Sequence, residues 1–302
     1  MRAGGAPLLW GLFVTGLIAT AFFLLVLGLT LLVMGKPDLA ESGEKIAIVR
    51  IEGVISRELA DRTIRQLKKY ADDTSIKAIV LRIDSPGGGV AASQEIYQEV
   101  KRTRAKGKPM VASMGSLAAS GGYYVAAAVE RIFANPGTIT GSIGVIIQLA
   151  NAEDLLRKVG VESTVIKSGP FKDSGNPTRS LRDDERQVFQ AVVDDVYQQF
   201  VEAVVEGRNL QEADVRQYAD GRIYSGRQAK HLNLVDELGA LQDAVAYTAS
   251  LVGIVGKPKL VQEEKESFWW FKLLFDSLSH VPALRPFLPG DSILQYRWVS
   301  PR

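Results

Sequence analysis

The 302-residue chain has no cysteine and only two histidines. The first absence excludes thiol catalysis, disulfide bridges and cysteine-ligated metal. The second leaves no clustered ligand set from which a metal site could be built, and no cofactor is expected. Charge of one sign is scarce as well: 36 basic residues against 34 acidic ones leave a net +2. No basic stretch is interleaved with aromatics, so nucleic acid is not an expected partner.

Apolar sequence is plentiful, and it is unevenly placed. The 27 residues from Leu8 to Met34 carry no charge, whereas about 20 suffice to cross a bilayer core. The run is too long for the apolar part of a secretory signal and lacks a good cleavage site. Residues 1–36 therefore read as an uncleaved transmembrane anchor, and 37–44 as a short polar linker. Arg2 and the amino terminus favour the cytoplasmic side, which puts the rest of the chain outside the cytoplasm.

From Lys45 to about residue 262, β-branched runs alternate with amphipathic segments, the pattern of an α/β domain with a largely parallel sheet. Strands are expected at Lys45–Glu52, Ile76–Asp84, Met110–Ser113, Arg131–Ala134, Gly144–Leu149 and Val161–Ile166. Helices are expected over Leu59–Tyr70, Gln94–Arg104 and Asp183–Val205. In the last of these, Val188, Val192, Val196 and Phe200 recur every four residues, a stripe that suits the core better than a neighbouring subunit. Residues 263–302 are rich in tryptophan and phenylalanine and broken by prolines. That tail suits the membrane interface, or packing against the domain or a sister chain.

Two glycine-bearing turns follow apolar strands. Asp84-Ser-Pro-Gly-Gly-Gly89 offers backbone N–H groups unshielded by side chains. Ala119-Ser-Gly-Gly122 puts a serine among small neighbours at a strand-to-helix turn, as a hydrolase nucleophile requires, with helix N-terminal amides suited to negative charge. Together they could supply the nucleophile and both halves of an oxyanion hole. The activating base is harder to find. His231 reads as an exposed surface residue, and His280 lies in the aromatic tail. Lysine remains, provided burial favours its neutral form; Lys167 and Lys172, in VIKSGPFKDSGNPTR, both follow an expected strand.

These turns, with Thr138-Ile-Thr-Gly-Ser-Ile-Gly-Val145, Lys167-Ser-Gly-Pro-Phe-Lys-Asp173 and the stretch Gly221–Gly239, resemble the bacterial signal peptide peptidase A family in its short, single-copy form. The likeness runs from Lys45 to about Val252. It implies a membrane-anchored serine protease with a Clp protease and crotonase-like ββα fold and a Ser-Lys dyad. By resemblance Ser120 is the nucleophile, Lys172 the general base, Ser142 a hydroxyl that holds the lysine, and Gly87 and Gly121 the oxyanion-hole residues. It further implies a ring of copies, commonly eight, in which the base comes from the same chain or its neighbour, and peptide substrates such as signal peptide remnants at the cell membrane. A stomatin-operon-type membrane protease, an acyl-CoA enzyme of the crotonase fold and a noncatalytic membrane scaffold are the alternative readings.

Overall fold

The structure is a computed structural model that describes residues 16–17, 20–25, 44–263 and 294–297. Residues up to Gly43 and residues from Glu44 onward form two compact units. In the first, the described residues are helical, and the Thr20 hydroxyl donates to the Gly16 carbonyl at 2.8 Å. Phe22, Phe23, Leu24 and Leu25 are all exposed there. Among the described residues no helix is long and apolar enough to cross a membrane. Most of the expected anchor, the linker before Glu44 and the tail from 264 to 293 lie outside the described residues.

The second unit runs β1 (Lys45–Glu52), α1 (Arg57–Asp72), β2 (Ile76–Ser85), β3 (Gly87–Gly89), α2 (Val90–Ala105), β4 (Met110–Ala119), α3 (Gly121–Ala126), β5 (Arg131–Ala134), β6 (Ile139–Gly141) and β7 (Ile146–Ile147). It continues with α4 (Glu153–Lys158), α5 (Asp183–Arg208), α6 (Glu212–Tyr218), β8 (Ile223–Ser225), α7 (Gly226–His231), β9 (Glu237–Leu238), α8 (Leu241–Leu251), β10 (Lys259–Val261) and β11 (Leu294–Arg297). This is a mixed α/β fold. The main sheet has the order β10-β1-β2-β4-β5-β9, with β6 on β4 and β8 on β6. Every pair is parallel except β6 with β8.

The central strands read as nearly unbroken apolar runs because helices cover both faces, as a parallel sheet requires. In β2, Ile79, Leu81 and Ile83 join the cluster that holds Leu67 of α1 and Val100 of α2. Val80, pointing the other way, packs with Ile46, Ile48 and the α8 residues Val245 and Ala249. Each such valine, leucine or isoleucine contributes about 1.5–3 kcal/mol by leaving water. Capping sets the helix limits: Ser56 accepts from the Leu59 N–H at the start of α1, and α5 ends at Asn209 in the left-handed conformation.

Two expected strands differ. Gly144–Leu149 contracts to Ile146–Ile147, and Val161–Ile166 takes no regular structure. Val161, Val165 and Ile166 are exposed, the last at 98%. An apolar run becomes a strand only where another strand edge can satisfy its N–H and C=O groups, and none of the described strands lies alongside. The α5 stripe is also divided. Val196, Phe200 and Val204 are buried, whereas Val188 and Val192 are exposed at 47% and 44%.

Candidate active site

β4 is long enough to serve two neighbours. Its first half pairs with β5 and its second half with β6, where Ala118 meets Thr140 and Ala119 meets Gly141. The residues that follow on each strand, Ser120 and Ser142, therefore leave the sheet side by side. Both have positive φ, 54° and 51°, a region in which a side chain costs of order 1–3 kcal/mol and which collects at functional sites. The Ser120 N–H donates to the Gly141 carbonyl at 2.8 Å, and its carbonyl accepts from Tyr124 at 2.8 Å. These two bonds hold the turn against its strain. Ser120 is buried and is the N-cap of α3, yet no described group hydrogen-bonds its Oγ. It lines a cleft of about 570 Å³ together with Ser142, Gly144, Ile146 and Tyr197.

Small residues let α3 start where it does. A Cβ on Gly121 would come within 2.5 Å of Ser93 Oγ and 3.3 Å of the Gly88 nitrogen, and one on Gly122 within 3.0 Å of the Ser85 carbonyl. Behind this contact Tyr124 packs between Tyr97 and Phe200, with centroids 4.8 and 5.0 Å away. Asp84, at the end of β2, accepts from the Leu117 N–H at 3.1 Å. That bond ties the two turns together.

Each glycine of the first turn has its own neighbour. The Gly87 N–H donates to Ser85 Oγ at 3.1 Å. The Gly87 carbonyl accepts from Ile55 at 2.8 Å, and the Gly89 N–H donates to the Ile55 carbonyl at 2.9 Å. A Cβ on Gly88 would lie 2.3 Å from the Ile55 carbonyl oxygen, and backbone cannot yield there. Because N–H and C=O directions alternate along an extended strand, those of Gly88 face away from Ile55, toward β11.

The two lysines are distinct in the structure. Lys167 Nζ is bound to Asp173 and to the Pro170 carbonyl. Lys172 is exposed, has no side-chain partner among the described residues, and does not line the cleft of Ser120. The chain thus brings Ser120, Ser142, Gly87 and Gly121 together but leaves Lys172 apart. Its loop is held by groups that the sequence reading passed over. Arg179 Nε donates to Asp173 at 3.0 Å and Arg179 Nη1 to Glu185 at 2.8 Å. Glu185, whose carboxylate is enclosed, also accepts from the Arg182 N–H at 3.1 Å and Ser174 Oγ at 3.2 Å. A glutamate three residues into a helix, after a run of basic and small residues, is the signal that could have shown this clamp.

The Arg179 hydrogen bonds hold the Glu185 carboxyl down at about 2, against an ordinary 4.5. They likewise keep Asp173 well below the usual carboxylate range, with help from Lys167. A carboxyl lowered in the folded state stabilises it fully above 4.5 and loses that effect as pH falls toward about 2. Amide exchange of residues 167–185, corrected for intrinsic rates, is therefore expected to accelerate below pH 4.5 before that of β1, β2 and β4. In Glu185→Gln this acid step is expected to shrink to the part that Asp173 contributes.

His231 is exposed at the end of α7, and His280 lies outside the described residues. Among the described residues no group of three His, Asp or Glu could hold a metal ion. A larger cleft, about 780 Å³, lies between α1, α2 and α5 and contains neither serine.

The family model described as Peptidase family S49 matches residues 102–255, which include Ser120, Ser142 and Lys172. The chain belongs to peptidase family S49. It is a serine peptidase. The Clp protease model matches residues 38–139. A Synechocystis sp. protein provisionally named protease slr0021 is 46% identical over 218 residues, covering 72% of this chain and 78% of the relative. An Enterococcus faecium protein provisionally named signal peptide peptidase SppA is 40% identical over 215 residues, covering 68% of this chain and 62% of the relative. Protease 4 of Salmonella typhi is 36% identical over 219 residues, which is 70% of this chain and 35% of that protein. The chain thus spans about a third of Protease 4. Among solved structures, a mutant ClpP1 from Listeria monocytogenes is similar at TM-score 0.46 and 19% identity, covering 65% of this chain and 93% of that one.

Proposed function

We propose that this S49 peptidase hydrolyses peptides through Ser120 as nucleophile and Lys172 as general base, with the oxyanion held by backbone amides of the two glycine turns. The neutral lysine accepts the Ser120 proton while Oγ attacks the scissile carbonyl. The protonated lysine then returns that proton to the leaving amine, and water, deprotonated in turn, releases the acyl group as a carboxylate. Gly121 supplies one amide. For the other, Gly88 is preferred to Gly87, because the Gly87 N–H is already donated to Ser85 Oγ. Ser142, beside Ser120 in the same cleft, suits the task of orienting the lysine.

The observation that carries this reading is Ser120 itself: a buried, strained serine at a helix N-terminus whose oxygen has no partner within the described chain. The test is labelling by a fluorophosphonate. Wild type is expected to react and Ser120→Ala to remain unlabelled with an unchanged circular dichroism spectrum; labelling at another residue would overturn the assignment. Activity is expected to rise into the alkaline range as the base loses its proton, and to be unaltered by His231→Ala.

The uncharged run Leu8–Met34 supports a membrane anchor, an extracytoplasmic catalytic domain and substrates such as signal peptide remnants. Leu155, Val159, Ile166, Phe171, Val188 and Val192 are exposed, and a ring of copies, with eight as the proposed number, would give them apolar surface to cover. Ile166→Asp is expected to lower the assembled mass measured by light scattering while the fold persists.

A further inference from the structure

Among the described residues the cleft of Ser120 is lined by three charged side chains, Asp194, Arg216 and Asp220. Two of them are neutralised from within the chain. Asp220 holds the Arg222 guanidinium, whose Nε donates to its two oxygens at 2.7 and 2.9 Å. Arg216 donates to Glu212 Oε1 through Nε at 2.9 Å and Nη2 at 2.7 Å, and its guanidinium lies 5.9 Å from the centre of the Tyr197 ring. Asp194 is the exception. One of its oxygens accepts from Gln190 Nε2 at 2.7 Å, one helical turn earlier, and no cation among the described residues pairs with it.

The neighbours of Asp194 set the kind of cation it suits. Asp194 stands three residues before Tyr197 on α5, so the carboxylate and the ring share one face of the helix. Half-buried Val193 and Tyr197, with Ile146 of β7, give the cleft apolar surface, while Asp194 is exposed. A lysine or arginine side chain matches both features, because its methylene stem lies on apolar surface while its charged head stays with water and a carboxylate. An acidic side chain would meet Asp194 at like charge. The whole chain carries a net +2, so a preference for cationic substrates would run against the overall charge and must arise in the cleft.

We propose that Asp194 is a specificity-determining residue that selects substrates with a lysine or arginine close to the scissile bond. The stem of that side chain lies on Ile146, Val193 and Tyr197, and its ammonium or guanidinium donates to the Asp194 oxygen that Gln190 leaves free. That the basic residue stands near the scissile bond rests on the Ser120 reading above; its capture in the cleft does not need catalysis. The pair keeps contact with water, so its effect is that of an exposed ion pair, a factor of about three to five. Salt weakens it, since charges are screened over about 10 Å at 0.1 M ionic strength.

The test uses the full chain and fluorogenic octapeptides of small apolar residues that carry lysine or glutamine at a single position, moved in turn through the three residues on either side of the scissile bond. At one position wild type is expected to hydrolyse the lysine peptide with kcat/KM about three- to fivefold above the glutamine peptide at low salt. In Asp194→Asn that ratio is expected to fall to about one, and in Asp194→Lys a glutamate peptide is expected to overtake both. Asp195→Asn removes the next carboxylate along α5, which does not line the cleft, and is expected to keep the ratio. Each ratio is taken within one variant, so a partly unfolded preparation does not alter it. A ratio near one at every position in wild type, or a ratio that Asp194→Asn leaves intact, overturns the proposal. Ser120→Ala, followed by fluorescence anisotropy, reads binding without turnover. It is expected to bind a labelled lysine peptide about three- to fivefold more tightly than its glutamine twin, with the difference lost when Asp194→Asn is added. Equal affinities overturn the proposal, whereas hydrolysis that persists in Ser120→Ala overturns the Ser120 reading alone.

Discussion

Peptide hydrolysis is expected to fall about 10⁴–10⁶-fold in Ser120→Ala, the scale seen when a serine nucleophile is removed from a group that acts as a unit. The thermal midpoint should barely move, because alanine keeps the Cβ and therefore the backbone strain at φ 54°. Ser120→Gly separates the two roles of the position. It is expected to be equally inactive but more stable, by about 1 kcal/mol or roughly 2–4 °C in Tm for a domain of this size. Calorimetry of the three forms checks this. A glycine variant no more stable than alanine would mean that the turn is unstrained and that the positive φ says nothing about function.

Lys172→Ala is expected to lower hydrolysis by about 10²–10⁴-fold, the usual contribution of a positioned base, without altering assembly. The more informative experiment mixes it with Ser120→Ala during assembly. Lys172 is exposed and outside the cleft that holds Ser120, while apolar residues such as Phe171 beside it are uncovered. A neighbouring copy that covered this loop would dry the amine, which favours its neutral form. If each site takes its serine from one copy and its lysine from the next, a random equal mixture of the two inactive forms rebuilds about a quarter of the sites, as head-to-tail contacts in a ring allow. Restored hydrolysis near that level is the expected result. No restoration would place both groups in one chain after a rearrangement.

Where sequence and structure part company, the cause is the same in each case. The segment Lys45–Glu52 was legible to the residue, and so was the start of α5 at Asp183, because runs of β-branched residues and first-turn carboxylates act locally. Val161–Ile166 carries an equally apolar pattern but is no strand, since pairing depends on what lies beside it. Of three consecutive glycines, only the bonds with Ile55 and Ser85 show that the Gly87 N–H is engaged and that the Gly88 peptide groups face away from Ile55. Lys167 and Lys172 are indistinguishable by type; Asp173 engages the first and leaves the second free. The strand at Leu294–Arg297 had no signal at all, because main-chain pairing with Gly87–Gly89 across some 200 residues asks nothing particular of its side chains.

The sequence by itself therefore determined the local chemistry: an α/β alternation, two glycine turns after apolar strands, and a serine at a helix start, each dictated by residues within a few positions of one another. Only the tertiary structure decided which groups meet: Ser120 beside Ser142, Gly121 against Gly87 and Gly88, and β11 paired with both β3 and β7. Those arrangements depend on hydrogen bonds and exclusion of water between segments far apart in the chain, and neither leaves a periodic trace in the order of residues.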